Sequence, residues 1–248
     1  MKISSFLSLA LVSVMLSSMS CMDHLKTKIM GDTVITEGNF LPKGPFADRY
    51  HQAVPFYLLG FKSQKPGEKF PLLMLLHGSG DSAEHALETW QDQAQKARVM
   101  ILAPSRTHPY KNQVEDLEAL NFLADKITAD YPVDTAQRTL AGASSGALMA
   151  RQLAVLHPSG WKNLVLISSP PSEDWIEKID PASFPAVLYA HGRQDPQFSY
   201  ERIRVNGERL KERGVTVAVI DDPQAVHETR DEWIAPILRW IKTRRLRA

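Results

Sequence analysis

The sequence predicts an α/β protein: a mostly parallel, doubly wound sheet with helices on both faces. Three observations point there. From residue 71 onward, short apolar runs alternate with segments of helical spacing, the order that builds parallel sheets through helical crossovers. The run at 71–76 is continuously apolar and does not alternate with polar residues, as in a strand buried on both faces. Gly142-Ala143-Ser144-Ser145-Gly146 joins a short apolar run to an apolar helical segment, so a turn of small residues stands where a strand becomes a helix.

The elements follow in order. Residues 33–37 read as an early strand, with the rest of 21–52 partly irregular, and 53–61 as a second strand. A polar turn over 62–69, containing Pro66-Gly67, leads into the strand at 71–76. Residues 83–97 have helical spacing, and 99–103 is the next short strand. Over 113–131, Leu117, Leu120, Leu123, Ala124 and Ile127 recur at three- and four-residue steps, the stripe of an amphipathic helix. The strand 138–141 runs into the glycine-flanked turn, and 147–156 is the helix behind it. Strands at 163–167, 186–190 and 215–220 and helices at 199–213 and 231–244 complete the pattern. Residues 168–185 are proline-rich and have length for a loop and one helical turn, so no large lid domain is expected.

A chain of 248 residues, 44% of them hydrophobic, can fill one complete core. The expected domain covers 53–248. A formal charge of +1 gives no global attraction to nucleic acid, and the basic run 242–247 reads as a solvated helix end.

Residues 1–20 read as a secretory signal peptide. Lys2 is the only charge before Asp23, and 3–19 is apolar and serine-rich. No polar face suits it to a core helix, and its length and serines argue against a membrane span. Cys21, the single cysteine, ends the run directly after Ser20. That position resembles the lipobox of bacterial lipoproteins, where the cysteine is acylated after cleavage. Ser18 and Ser20 also satisfy a small-x-small cleavage site. Lipidation is favoured, because a lone cysteine at this position is otherwise a coincidence. The expectation is an exported, periplasmic or cell-envelope protein, attached to membrane through acylated Cys21, with no disulfides.

The turn at Ser144 carries chemistry only with partners. A serine hydroxyl is a poor nucleophile at neutral pH and needs a base. Histidine, with an unperturbed pKa near 6.5, suits that task, and a carboxylate must fix its tautomer. In a doubly wound sheet such groups stand after the carboxyl ends of strands. Asp195 is the only carboxylate in His191-Gly192-Arg193-Gln194-Asp195-Pro196, after the strand 186–190. His227 follows the strand 215–220. Asp221 and Asp222 are rival acids, but they precede His227 by only five or six residues and are expected to shape its loop. Ser145 is a rival nucleophile by composition, but only Ser144 is central in the pentapeptide. The oxyanion hole is expected from the backbone N–H groups of Ser145 and Ser79, the latter in His77-Gly78-Ser79-Gly80. Such preorganised donors are worth about 3 kcal/mol each. His77 is expected to brace that loop.

His85, His108, His157 and His191 show no metal-ligand spacing and read as surface or structural residues. No metal or organic cofactor is expected. Gly78, Gly80, Gly142 and Gly146 form no phosphate loop, since no Gly-Lys-Ser/Thr follows. Trp90, Trp161, Trp233 and Trp240 fit helix packing. Trp175, Phe198 and Tyr110 lie in loops at the site end and are candidates to line an acyl or alcohol pocket.

The order Ser144, Asp195, His227 and the surrounding segments resemble the α/β-hydrolase superfamily over residues 53–245. Leu75-Leu76-His77-Gly78-Ser79-Gly80-Asp81-Ser82 is similar to the oxyanion segment of its compact carboxylesterase/phospholipase and dienelactone-hydrolase-like branch. Residues 131–138, Tyr-Pro-Val-Asp-Thr-Ala-Gln-Arg, are similar to the lead-in of esterases of that branch and of feruloyl-esterase or polyester-depolymerase-like enzymes. His191 to Pro196 resembles their acid loop. Two residues depart from the pattern: Ser145, where many relatives have a bulkier or amide residue, and Val226, where glycine is common before the histidine. The cysteine nucleophile usual in true dienelactone hydrolases is absent. The resemblance implies an α/β-hydrolase fold and hydrolysis of small-molecule or polymeric esters through an acyl-enzyme. Two other functions stand beside it. A prolyl-oligopeptidase-type peptidase shares the triad but usually carries a large extra domain. A catalytically silent cell-envelope binding protein would share the fold, and the intact triad argues against it.

Overall fold

The computed structural model describes residues 22–41, 53–105 and 113–246. Residues 1–20, where a signal peptide is expected, Cys21, His108 and Tyr110 lie outside the described residues. In chain order the elements are β1 (Met22–Met30), β2 (Thr33–Phe40), β3 (Val54–Phe61), β4 (Phe70–Leu76), α1 (Ala83–Ala97), β5 (Met100–Pro104), α2 (Gln113–Asp130), β6 (Val133–Ala143), α3 (Ser145–Leu156), β7 (Asn163–Ile167), β8 (Ala186–Gly192), α4 (Tyr200–Glu212), β9 (Val217–Asp222) and α5 (Asp231–Thr243). The strands form one sheet in the order β1-β2-β3-β5-β4-β6-β7-β8-β9. The pairs from β5 to β9 are parallel, and β1, β2 and β3 add antiparallel at one side.

The short apolar runs are the centre of this sheet. Every residue of β4, β5 and β7 is buried, because helices cover both faces. Crossover handedness sorts the helices. The step from β4 through α1 to β5 moves one way along the sheet, while the steps through α2, α3 and α4 move the other way. Right-handed crossovers in opposite directions lie on opposite faces. α5 joins α1 on its face and buries Trp233, Ile234, Ile237, Leu238, Trp240 and Ile241. Each such side chain contributes about 1.5–3 kcal/mol of burial. Trp90 is buried on α1 in the same way. Trp161 lies outside the helices, before β7, and is buried beneath the Arg138 guanidinium at 4.5 Å.

The direction of the crossovers reverses between β4 and β6, which are neighbours. A crevice opens outside the carboxyl ends of strands at such a switch point. The loop carrying Ser79 leaves β4 there, and the turn carrying Ser144 leaves β6.

Several boundaries differ from the sequence expectation, among them β8, which runs to Gly192 and not to 190. Residues 22–40, expected to be partly irregular, form the β1–β2 hairpin and join the main sheet through β2 and β3. β1 lies at the sheet edge with Lys26 and Lys28 in solvent, so it lacks a full apolar signature. β6 starts at Val133 and not at 138. Its residues 134–137 lack large apolar side chains, and here the register against β4 jumps from Phe70↔Val133 to Leu72↔Arg138. Asp134 turns that bulge by accepting the Ala136 N–H at 3.0 Å. β9 begins at Val217, because Val215 N–H bonds Leu210 at 3.0 Å and closes the end of α4. α3 begins at Ser145, because the Ser144 carbonyl accepts N–H groups from Ala147 and Leu148 at 3.0 and 3.3 Å.

Candidate active site

The turn after β6 is held by close backbone approach. A Cβ on Gly146 would lie 2.1 Å from the Leu76 carbonyl oxygen, and one on Gly142 would lie 2.2 Å from that of Gly146. Both positions therefore require glycine. Between them Ser144 has φ 52° and ψ −116°, a backbone conformation costly for a non-glycine residue. Its N–H donates to the Ile167 carbonyl at 2.9 Å, tying the turn to β7. The result lifts Ser144 Oγ from the backbone at the N-terminus of α3, where helix N–H groups favour developing negative charge.

The structure brings Ser144, His227 and Asp195 together. Ser144 Oγ lies 2.9 Å from His227 Nε2, and His227 Nδ1 lies 2.8 Å from Asp195 Oδ2. The carboxylate can only accept, so Nδ1 carries the proton and Nε2 accepts from the serine hydroxyl. Asp195 has no exposed side-chain surface. Burial pushes its carboxyl upward in pKa. The hydrogen bond from His227 and the N–H groups of Phe198 and Gln197 outweigh this, and the net shift is downward. Those two N–H groups reach Oδ1 at 2.9 and 2.8 Å.

Two loops present the acid and the histidine, and they are laced together. Arg193 N–H bonds the Asp222 carbonyl at 2.8 Å, and Gln194 N–H bonds that of Ala225 at 3.0 Å. A Cβ on Gly192 would lie 2.2 Å from the Ala225 carbonyl oxygen. Asp221 pairs with Arg193. Asp222 accepts the N–H groups of Gln224 and Ala225 at 2.9 and 3.2 Å, and Arg230 at 3.0 Å. Both residues thus shape the histidine loop, as expected, while Asp195 holds the ring.

The loop after β4 closes the other side. Gly78 packs against the turn: a Cβ there would lie 3.4 Å from Ala143 O and 3.6 Å from Ser144 Cβ. Ser79 and Ser145 stand side by side, with their hydroxyl oxygens 2.8 Å apart. His77 Nδ1 meets the Gly78 carbonyl at 2.9 Å, bracing the loop.

The aromatic expectations divide. Phe198 meets the His227 ring edge-on at a centroid distance of 5.1 Å, so it belongs to the site. Trp175 is buried. Its indole N–H donates to Ser172 at 2.9 Å, its ring packs on Phe184 at 5.5 Å, and Arg151 lies 5.7 Å over it. It anchors the 168–185 loop to the core, whose helical content is the single turn Ile176–Lys178.

Two contributors escaped sequence reasoning. His191 is fully buried behind Asp195. Its Nε2–H donates to the Phe198 carbonyl at 2.9 Å and lies 3.3 Å from Asp195 Oδ2, while Nδ1 is buried with no hydrogen-bond partner. Burial depresses its pKa against the opposing pull of Phe198 O and Asp195. Ser168, with φ 42°, donates its hydroxyl to the Glu228 carbonyl at 2.8 Å and fixes the loop just past His227. The strand expected to end at 190 runs on through His191 to Gly192, and nothing local marked either residue. His85 pairs with Asp81 at 2.7 Å and His157 with Glu118 at 3.0 Å, both at the surface side of the fold. Among the described residues, no group of three His, Cys, Asp or Glu side chains is arranged to hold a metal ion.

No family model and no curated protein matches the sequence. Solved structures do match the fold. The chain is similar to FphF, a fluorophosphonate-binding serine hydrolase of Staphylococcus aureus, with TM-score 0.68 and 15% identity over 85% of this chain and 99% of that one. It is similar to a Pyrobaculum calidifontis esterase, with TM-score 0.67 and 16% identity over 96% and 89%. It is similar to Arabidopsis thaliana SOBER1, with TM-score 0.59 and 20% identity over 71% and 99%. The match is to the fold of these neighbours, and the chain has the α/β-hydrolase fold.

Proposed function

We propose that the protein is a serine hydrolase that cleaves carboxylic esters through an acyl-enzyme. The hydrogen-bonded chain Asp195–His227–Ser144, at 2.8 and 2.9 Å, carries this reading. Ser144 Oγ attacks the ester carbonyl carbon while His227 Nε2 takes its proton. The carbonyl π electrons move to oxygen, and the Ser79 and Ser145 N–H groups bind the oxyanion. The tetrahedral species collapses, the bond to the alcohol oxygen breaks, and His227 gives that oxygen its proton. Water then attacks the acyl-enzyme with His227 again as base, releasing the acid and restoring Ser144. Asp195 stays ionised throughout and holds the Nδ1–H tautomer.

The printed descriptions of the structural neighbours as serine hydrolase and esterases support this reading. A panel of p-nitrophenyl esters of graded chain length, run beside aminoacyl amides, tests it. Turnover of esters well above amides is expected. Preferential cleavage of amides would favour a peptidase, and no turnover of either would favour a silent binding protein.

We also propose export, with acylation at Cys21. The charge and apolar pattern of residues 1–20 and the position of the single cysteine support it. The mass of the mature N-terminus decides: a diacylglycerol adduct on Cys21 is expected, and an unmodified cysteine contradicts lipidation.

A further inference from the structure

The scheme above uses only the backbone of Ser79 and Ser145. Their side chains make a contact it leaves unused: a hydroxyl–hydroxyl hydrogen bond of 2.8 Å between residues 66 apart in sequence. It joins the two pieces of chain that each supply one oxyanion donor. Ser145 is rigidly placed. It opens α3, with Gly146 pressed against Leu76. Ser79 is placed differently. Its loop is fixed at the strand side, where Gly78 packs on Ser144 Cβ, and at the helix side, where Asp81 Oδ1 meets Ser82 N–H and His85 Nδ1, both at 2.7 Å. Ser82 Oγ caps α1 by accepting the His85 N–H at 3.1 Å. Between these anchors Ser79 and Gly80 form the exposed tip, and Gly80 has φ 80°.

We propose that the Ser79–Ser145 hydroxyl bridge sets the spacing of the two oxyanion donors. The two side chains are positioning residues for the reaction. Two N–H groups stabilise one oxygen only when both lie within hydrogen-bond reach of it. A shift of the loop tip changes one of those distances, and displacements near 1 Å can cost on the order of a hundredfold in rate. The bridge itself is solvent-accessible, so its loss removes little net folding free energy. Geometry and stability are therefore separable at this pair. The inference rests on the ester-hydrolase reading.

The experiment is a double-mutant cycle with p-nitrophenyl butyrate, using Ser79→Ala, Ser145→Ala and the double variant, beside Ser145→Thr and Ser144→Ala. Each single alanine variant is expected to lose roughly tenfold in kcat, as one hydrogen bond's worth of misalignment implies. KM should change less than about twofold, as for an interaction made only in the transition state. The double variant should lose no more than either single one. Ser145→Thr, which keeps the hydroxyl, should retain most of the rate. The Ki of an alkyl trifluoromethyl ketone, which forms the tetrahedral adduct, should rise in parallel with the loss of kcat. Thermal midpoints should stay within about 3 °C of wild type, a shift near 1 kcal/mol at this chain length. Full kcat in either single variant, or losses that multiply in the double one, would overturn the proposal. If Ser144→Ala also keeps its activity, the hydrolase reading itself fails. If Ser144→Ala is dead while the alanine variants are normal, only the bridge is wrong.

Discussion

His191 Nε2 lies 3.3 Å from Asp195 Oδ2 with neither side chain exposed, so the carboxylate that orients His227 on one side meets a second imidazole on the other. The two rings are not equivalent. His227 Nδ1–H points at the carboxylate at 2.8 Å, whereas the shorter contact of His191 is to the Phe198 carbonyl at 2.9 Å. Phe198 in turn gives its N–H to Asp195 Oδ1 and its ring edge to His227. His191 thus closes the loop that presents the acid.

Replacing His191 separates its donor from its bulk. His191→Leu leaves the Phe198 carbonyl buried without this donor, a cost of about 1–3 kcal/mol. Urea unfolding should show that loss, and ester turnover should fall roughly tenfold as Asp195 loosens. His191→Gln, which can still donate, should recover most of both. Equal losses in the two variants would show that packing, not the hydrogen bond, is what counts.

The same residue predicts acid sensitivity. Its folded pKa is depressed by burial, so below the unfolded value near 6.5 the unfolded chain binds the extra proton more readily. Stability is full above that pH and declines as pH falls toward the folded value. Asp195, also depressed, contributes stability that is present above the ordinary carboxylate range and is lost only at lower pH. Urea midpoints between pH 7.5 and 5 should therefore fall more steeply for wild type than for His191→Gln. Parallel slopes would contradict this assignment.

Glycine positions differ sharply in what they tolerate. Gly146→Ala would place a methyl 2.1 Å from Leu76 O, while Gly160 has nothing within 4 Å of its Cβ direction. Overpacking against backbone predicts a loss of about 3 kcal/mol or more for Gly146→Ala. Gly160→Ala should change stability by no more than about 0.5 kcal/mol. Thermal unfolding of the two variants checks the contrast.

The roles of the acids are distinguishable by rate. Asp195→Asn keeps the shape but removes the charge that fixes the His227 tautomer, and kcat should drop by about three to four orders of magnitude. Asp222→Asn keeps an acceptor for Gln224 and Ala225 but weakens the Arg230 pair. Its loss should stay near tenfold or less, since solvent reaches and screens the ion pair. Steady-state kinetics of both variants decides, and the reverse ranking would move the acid from β8 to β9.

The buried half of this fold was legible in the sequence, and the edges were not. β4, β5 and β7 are buried on both faces, so their composition alone marks them. The first part of β6 is a polar bulge at Asp134–Gln137, and β1 is a solvent-facing edge, so neither repeats an apolar pattern. The meeting of Ser144, Asp195 and His227 was legible because each follows a readable strand. His191 was not, because a lone histidine carries no sign of its burial, and its role depends on where a carbonyl seven residues later returns. The Ser79–Ser145 bridge was hidden for a similar reason. Both residues were expected for their N–H groups, and side-chain meeting across two loops has no local signal. The contacts of Trp175 with Arg151 and Phe184 had no local signal either, since its loop position says nothing of which side chains meet it.

The central claim is that Ser144 is the nucleophile. Incubating wild type and Ser144→Ala with a fluorophosphonate probe, followed by peptide mass analysis, tests it directly. One adduct per chain is expected on the peptide containing Ser144, with none in Ser144→Ala. Labelling that persists in Ser144→Ala, or an adduct found on Ser145 or Ser79, would contradict the account.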